Sequence, residues 1–162
     1  MTSKITVITG DRHAGKTLAC QRIIDEAKQQ GLSAGGLITP GRYDAAGTRT
    51  GFYVQMLPGG DKRLLGSAIE GELQGTRLGM WIFDDSALQW GNNELGSTPI
   101  VDVLVIDEIG PLELERDAGW TNAIPLLRKG QFDQAYVVIR PECVKMFRDL
   151  GFIFELCEIK AD

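Results

Sequence analysis

Eight residues near the start of the chain constrain its fold more than any other segment. Residues 10–17, GDRHAGKT, have the spacing GxxxxGK followed by Ser or Thr. An apolar, β-branched run at residues 4–9 precedes them, and residues 16–30 follow with apolar side chains at helical intervals. A strand that leads through a glycine-rich loop into a helix is typical of phosphate-binding sites. The pattern therefore predicts an α/β domain in which this loop cradles an anion.

Each part of this loop has a predicted role in binding a nucleotide. The loop N–H groups and the helix N-terminus favour negative charge, Lys16 should reach the β- and γ-phosphates, and the Thr17 hydroxyl should ligate Mg²⁺. The predicted nucleotide contacts come from one segment: Gly10, Asp11, Arg12, His13, Ala14, Gly15, Lys16, Thr17 and Leu18. The roles of Arg12 and His13 stay open between phosphate contact or acid–base chemistry and simple exposure to solvent.

Composition narrows the class of protein. The 162 residues are 43% hydrophobic and 24% charged, which is ordinary for one globular domain of this length. No apolar run approaches the roughly 18 residues of a membrane span, and the start of the chain has no signal-peptide pattern. A net charge of −5 argues against a nucleic-acid partner. The three cysteines form no CxxC pair, so we expect small core residues in a reducing cytoplasm.

The rest of the chain alternates predicted strands and helices. A strand at residues 33–39 is followed by short segments that suit antiparallel hairpins, because a parallel crossover needs a dozen or more residues. We therefore expect a β-meander inserted at about residues 41–66. The later predicted elements are strands at 80–83, 101–106, 135–139 and 152–159, and helices at 84–95, 121–129 and 141–151.

An acidic pair follows the most apolar of these strands. Residues 101–106 have the continuous hydrophobicity of a strand buried on both faces, and Asp107 and Glu108 come directly after it. A carboxylate at such a strand end can bind Mg²⁺ together with the hydroxyl of the phosphate loop, which is the role predicted for Asp107. Glu108 could orient and deprotonate an attacking water. Glu113, farther on, either supports this site or is exposed.

These segments together resemble a known family. Residues 10–17, the stretch Arg49-x-Gly51-Phe52 and residues 107–114, DEIGPLEL, look like those of small P-loop nucleoside-triphosphatases of the cancer-related type. The resemblance implies a three-layer P-loop domain related to RecA-like ATPases with an additional strand. It also implies Mg²⁺-dependent hydrolysis of ATP and GTP with broad base tolerance. By resemblance, phosphates and metal would be held by Gly10, Gly15, Lys16, Thr17 and Asp107, and water would be activated by Glu108.

Arginine and tryptophan residues supply further candidates. Phosphoryl transfer is accelerated by a cation near the γ-phosphate, which Arg42, Arg49 or Arg140 could provide. Arg49 is preferred because it belongs to the family-like stretch. A nucleobase could stack on Trp81, Trp90 or Trp120, although packing within the fold is the simpler expectation for each.

Three functions are compatible with these residues. The first is a single-domain hydrolase of residues 1–162, with Lys16, Glu108 and Arg49 as catalytic residues, Thr17 and Asp107 as Mg²⁺ ligands, and ATP or GTP as substrate. The second is a nucleotide or small-molecule kinase, which the scattered arginines do not favour. The third is a nucleotide-gated switch that acts on an unidentified protein partner with little turnover.

Overall fold

A single mixed sheet organises the chain. The computed structural model describes residues 3–11 and 14–160, whose strands all belong to one ten-stranded sheet. Its strands are β1 (Lys4–Thr9), β2 (Ala34–Ile38), β3 (Gly41–Tyr43), β4 (Arg49–Leu57), β5 (Lys62–Ser67), β6 (Arg77–Leu78), β7 (Trp81–Phe83), β8 (Val101–Ile109), β9 (Phe132–Ile139) and β10 (Glu155–Glu158). The helices are α1 (Lys16–Gln29), α2 (Asp85–Gly96), α3 (Pro111–Glu115), α4 (Ala123–Lys129) and α5 (Val144–Asp149), with a 3₁₀ turn at Pro141–Cys143.

The sheet has a parallel half and an antiparallel half. The strand order is β10-β1-β9-β8-β2-β4-β5-β7-β6, and β3 pairs with β4 beside this path. All pairs from β10 to β2 are parallel, whereas β2 pairs antiparallel with β4 and every pair beyond it is also antiparallel. The predicted α/β architecture with an inserted antiparallel β-meander is confirmed. The sheet, predicted to be mainly parallel, is mixed, with four parallel and five antiparallel strand pairs among the described strands. Strand β9 lies between β1 and β8, so it is the additional strand that the resemblance implies.

Side chains of the central strand alternate between two apolar layers. On β8, Val103 and Val105 pack in a cluster with Cys20 and Ile24 of α1, on one face of the sheet. Leu104 and Ile106 face the other side, where residues of α2, α4 and α5 form the larger core. A strand buried on both faces explains its continuous hydrophobic sequence. None of the described helices is long and apolar enough to cross a membrane.

Several elements differ from the sequence predictions at their ends. The antiparallel strands continue past residue 66 through β6 and β7, and β8 extends beyond residue 106 to Ile109. Helix α3 was not predicted, because five residues carry too little periodicity to reveal a helix. The predicted helix at 141–151 is divided into a 3₁₀ turn and α5. Cys157 is exposed on the edge strand β10, so the expectation of three core cysteines is wrong for this one.

An aromatic cluster consisting of Phe52, Trp81 and Phe83 holds the antiparallel half together. The Phe52 ring lies edge-on to Trp81 at 5.3 Å and to Phe83 at 5.5 Å between ring centroids. Gly66 makes room for it, because a Cβ atom at this glycine would lie 2.4 Å from the Phe52 ring. Edge-to-face contacts of this kind add about 0.5–1.5 kcal/mol beyond area burial. The cluster therefore joins β4 and β7 across β5.

We expect Gly66→Ala to lower the free energy of unfolding by about 1–3 kcal/mol, because the added methyl group must displace the Phe52 ring. Gly59→Ala is the matched control, since a Cβ there meets nothing within 4 Å. Urea denaturation of both variants and the parent chain measures the difference. Equal destabilisation by the two substitutions would contradict the packing described for Phe52.

Candidate active site

The phosphate loop joins β1 to α1 at the carboxyl edge of the parallel strands. Gly10 is required by a close approach, because a Cβ atom there would lie 2.3 Å from the carbonyl oxygen of Ile159. Gly15, the residue before α1, has a left-handed backbone with φ 92°. No side chain caps the start of this helix. Its first N–H groups therefore face the loop, where an anion would satisfy them.

The side chain of Lys16 is hydrogen-bonded back to the start of the loop. Its Nζ donates hydrogen bonds to the carbonyl oxygens of Gly10 at 2.7 Å and Asp11 at 3.3 Å. The N–H of Ala14 also donates to Asp11, at 3.1 Å. These bonds hold the ammonium group against the start of the loop; its contact with phosphates stays a prediction. Leu18, in the first turn of α1, is 56% exposed.

Two predicted contacts lie outside the described residues. These are Arg12 and His13 in the interior of the loop, and their roles stay predictions.

Asp107 is the point where the loop helix meets the sheet. Its Oδ2 accepts a hydrogen bond from the Thr17 hydroxyl at 2.9 Å, although 90 residues separate them in sequence. The same oxygen accepts from the Thr39 N–H at 3.2 Å and from the Thr39 hydroxyl at 3.4 Å. The structure thus brings the two predicted metal ligands together and adds Thr39, which the sequence analysis missed. The available signal was its position at the end of a strand parallel to β8.

The surroundings of Asp107 suit a bound cation. The side chain is 2% exposed, and this burial raises the pKa of its carboxyl above the ordinary value, against the opposing effect of the hydrogen bonds from Thr39 and Thr17. Burial and the negative charge of Asp107 likewise raise the pKa of the Cys20 thiol on α1. A buried carboxylate and a hydroxyl are hard oxygen donors, of the kind that bind Mg²⁺ with the help of substrate phosphates.

Glu108 points away from the pairing of β8 with β9. The register between the two strands shifts at this residue, with Asp107 opposite Val138 and Ile109 opposite Ile139. Such a bulge aims the extra residue out of the regular ladder. The carboxylate of Glu108 accepts a hydrogen bond from Nε of Arg140 at 2.6 Å, and its side chain is 34% exposed. Glu108 is therefore within reach of solvent and held by a cation that follows β9.

Glu113 has a structural role that decides between the two predicted alternatives. Its Oε1 accepts from the Gly110 N–H and its Oε2 from the Trp120 N–H, both at 2.8 Å. Burial raises the pKa of this carboxyl above its ordinary value, although both N–H groups oppose the change. Glu113 thus fixes the segment that leaves the sheet directly after Glu108.

The other two candidate arginines occupy different surroundings. Arg42 is committed to a network with Thr50, Ser67 and Glu72, including a 2.6 Å ion pair with Glu72. Arg49 lies with its guanidinium carbon 5.2 Å from the Phe52 ring centre and 5.6 Å from that of Trp81. Its buried Nε has no hydrogen-bond partner within the described part of the chain.

Sequence comparison finds related proteins over most of the chain. The model of the NTPase family matches residues 5–150. The nucleoside-triphosphatase THEP1 of Methanopyrus kandleri is 33% identical over 113 residues, which are 69% of this chain and 61% of that protein. The THEP1 protein of Caldivirga maquilingensis is 25% identical over 155 residues, covering 96% of this chain and 87% of that one. The match to the Methanopyrus protein thus spans about three fifths of its length.

Two solved structures share the fold. The solution structure of a human cancer-related nucleoside triphosphatase has a TM-score of 0.70 and 19% identity, with coverage of 96% of this chain and 88% of that chain. The crystal structure of THEP1 from Aquifex aeolicus has a TM-score of 0.60 and 21% identity, with coverage of 96% and 90%.

We expect Glu113→Ala to destabilise the chain by about 1–3 kcal/mol, because two part-buried N–H groups lose their acceptor. Glu115→Ala on the same helix serves as control, since that side chain is exposed. Thermal unfolding followed by circular dichroism compares them. A Glu113→Ala variant as stable as the control would show that this carboxylate does not hold the segment.

Proposed function

Because the chain belongs to the NTPase family, we propose that it hydrolyses nucleoside triphosphates to the diphosphate and inorganic phosphate. The observation that carries the proposal is the 2.9 Å hydrogen bond between Thr17 and Asp107, which places a carboxylate beside the start of the loop helix. The relatives named nucleoside-triphosphatase support the same activity. We infer further that residues 1–162 form one domain and that it works in the cytoplasm.

The proposed metal is Mg²⁺, held by Thr17 and Asp107. No cluster of three or more His, Cys, Asp or Glu side chains suited to a metal occurs among residues 3–11 and 14–160. Mg²⁺ needs no such cluster, because it is usually bound through one or two carboxylates together with waters and substrate phosphates. When bound, the ion would neutralise charge on the β- and γ-phosphates.

The residues of this chain would divide the work of hydrolysis. The loop N–H groups and Lys16 would bind the phosphates and stabilise charge that develops on them. Glu108 would orient a water and accept its proton as the water oxygen bonds to the γ-phosphorus and the bond to the diphosphate breaks. Its partial exposure and its place outside the strand ladder support this role. Arg140 would hold the Glu108 carboxylate in position through the hydrogen bond from its Nε until the attacking water binds.

Glu108→Gln tests the proposed base. We expect phosphate release from ATP to fall by about 10²–10⁴-fold, because the amide cannot take the proton, while ATP binding stays within a few-fold of the parent. Stopped assays with purified protein and calorimetric titration with a non-hydrolysable ATP analogue measure the two effects.

The control for this pair of measurements is Glu94→Gln, an exposed glutamate on α2. Equal turnover by parent and Glu108→Gln would refute the assignment of Glu108 as the general base.

The same assay with ATP, GTP, CTP and UTP tests the proposed tolerance for different nucleobases. We expect the four rates to lie within about tenfold of one another, because loop contacts to phosphate do not read the nucleobase. Phosphate transfer to added nucleoside monophosphates, in excess of release into water, would favour a kinase.

Arg49 stays our proposed source of positive charge near the γ-phosphate. Arg49→Lys keeps the positive charge but loses the planar guanidinium group, so we expect kcat to fall at least about tenfold. The full contribution of a catalytic arginine to kcat is about 10³–10⁵-fold. Arg63→Lys is the matched control, because Arg63 also stacks on an indole ring, that of Trp90 at 4.2 Å. A loss of stability without a loss of kcat would show that Arg49 only supports the rings beneath it.

A further inference from the structure

A second cleft lies beside the candidate active site. It has a volume of about 280 Å³ and opens between the β6–β7 hairpin and helix α3. It is lined by Leu78, Trp81, Phe83, Pro111, Leu112, Arg116 and Arg140. None of the described residues of the phosphate loop lines this cleft, so the cleft offers contacts that the described part of the proposed triphosphate site does not use.

The apolar wall of the cleft is held in place from behind. Trp81 and Phe83 both contact Phe52 edge-on, and Arg49 lies over the rings of Phe52 and Trp81. The missing side chain at Gly66 is what allows Phe52 to sit there. The family-like stretch that contains Arg49 and Phe52 therefore supports this wall. Half-exposed aromatic rings that cannot rotate freely make a ready surface for stacking a planar ring.

Two arginines line the cleft: Arg140 is paired with Glu108 through its Nε, whereas Arg116 brings a positive charge with no ion-pair partner among the described residues. Arg140 lines the cleft and also bonds Glu108. Arg116 is exposed, and within the described part of the chain its side chain makes no ion pair with a carboxylate. A guanidinium beside aromatic rings provides a fork that matches the oxygens of a phosphate group.

The cleft and the phosphate loop approach Glu108 from different neighbours. Arg140, which lines the cleft, donates a hydrogen bond to Glu108, whereas Asp107, the residue before Glu108, accepts one from Thr17 at the end of the loop. Helix α3, which forms one wall, begins two residues after the end of the bulge that carries Glu108. A ligand in the cleft would therefore lie next to the reacting end of a bound triphosphate without sharing its phosphate contacts.

We propose that this cleft binds a nucleoside 5′-monophosphate. The base stacks on Trp81 and Phe83 opposite Leu112, and the phosphate is bound by Arg116 and Arg140. The cleft volume of about 280 Å³ lies just below the roughly 300 Å³ at which small-molecule pockets begin, which favours a single nucleotide over a larger ligand. This inference goes beyond the proposed hydrolysis and does not depend on it.

Isothermal titration calorimetry tests the proposal with AMP, GMP, CMP and UMP, added to the chain already saturated with ADP and Mg²⁺. We expect each monophosphate to bind, and to bind roughly tenfold more tightly than adenosine or ribose 5-phosphate, because each fragment lacks either the phosphate or the stacked base. Absence of binding, or equal affinity for ribose 5-phosphate, would overturn the assignment.

Variants locate the site. Arg116→Glu should weaken monophosphate binding by at least about tenfold, and Arg116→Lys should weaken it less, because lysine keeps the charge without the fork. Arg148→Glu, an exposed arginine on α5, should have no effect on it. Lys16→Ala should retain it, in titrations without ADP, while losing phosphate release from ATP.

Two outcomes would refute the cleft as the binding site. They are unchanged affinity in Arg116→Glu, or loss of monophosphate binding in Lys16→Ala together with competition by ADP. A parent chain that binds the monophosphate but releases no phosphate from ATP would contradict the proposed hydrolysis and leave the cleft assignment standing. The two proposals thus fail separately.

Discussion

The arrangement of the candidate site depends on the carboxylate group of Asp107. It is buried at the end of the central parallel strand, where an unpartnered charge would be strongly disfavoured. Thr17 and Thr39 each donate hydrogen bonds to it, so the loop helix, β2 and β8 meet at one oxygen atom. Without that carboxylate, Thr17 at the start of the loop helix would lose its hydrogen-bond acceptor. Among the described residues, its hydrogen-bond donors are the neutral Thr17 and Thr39, and a buried carboxyl group of this kind is a suitable place for a metal ion.

Exposure changes from one residue to the next at the end of β8: Asp107 is buried, and the side chain of Glu108 reaches solvent. The shift of register at Glu108 takes its side chain out of the ladder, and Arg140 then holds it. Immediately afterwards the chain leaves the sheet through α3, whose start is secured by the two hydrogen bonds to Glu113. One carboxylate is thereby kept buried while its neighbour is left accessible to solvent. Two adjacent acidic residues acquire different chemistry from their surroundings alone.

The antiparallel half of the sheet has a role distinct from that of the parallel half. The parallel strands carry the loop and the acidic pair at their carboxyl edge, which is the usual ligand edge of such sheets. The antiparallel strands carry an aromatic cluster, and the packing of Phe52 into the space above Gly66 determines where Trp81 and Phe83 lie. The Arg49-x-Gly51-Phe52 stretch belongs to this antiparallel half of the sheet. Gly51 likewise leaves space for a neighbour, because a Cβ atom there would lie 2.6 Å from the carbonyl oxygen of Gly66.

The sequence by itself determined the phosphate loop, the α/β class and the acidic strand end, because these depend on local patterns of glycine, lysine and hydrophobic residues within short segments. It did not reveal Thr39 as a partner of Asp107, the hydrogen bond from Arg140 to Glu108, or the purpose of Glu113. The first two contacts join residues that become neighbours only when β2, β8 and β9 align in one sheet. Glu113 instead bonds within residues 110–120, where the path of the chain after β8 decides what it reaches. The hydrophobic periodicity of one strand does not show which other strands pair with it. Only the tertiary structure therefore decided which groups surround each carboxylate.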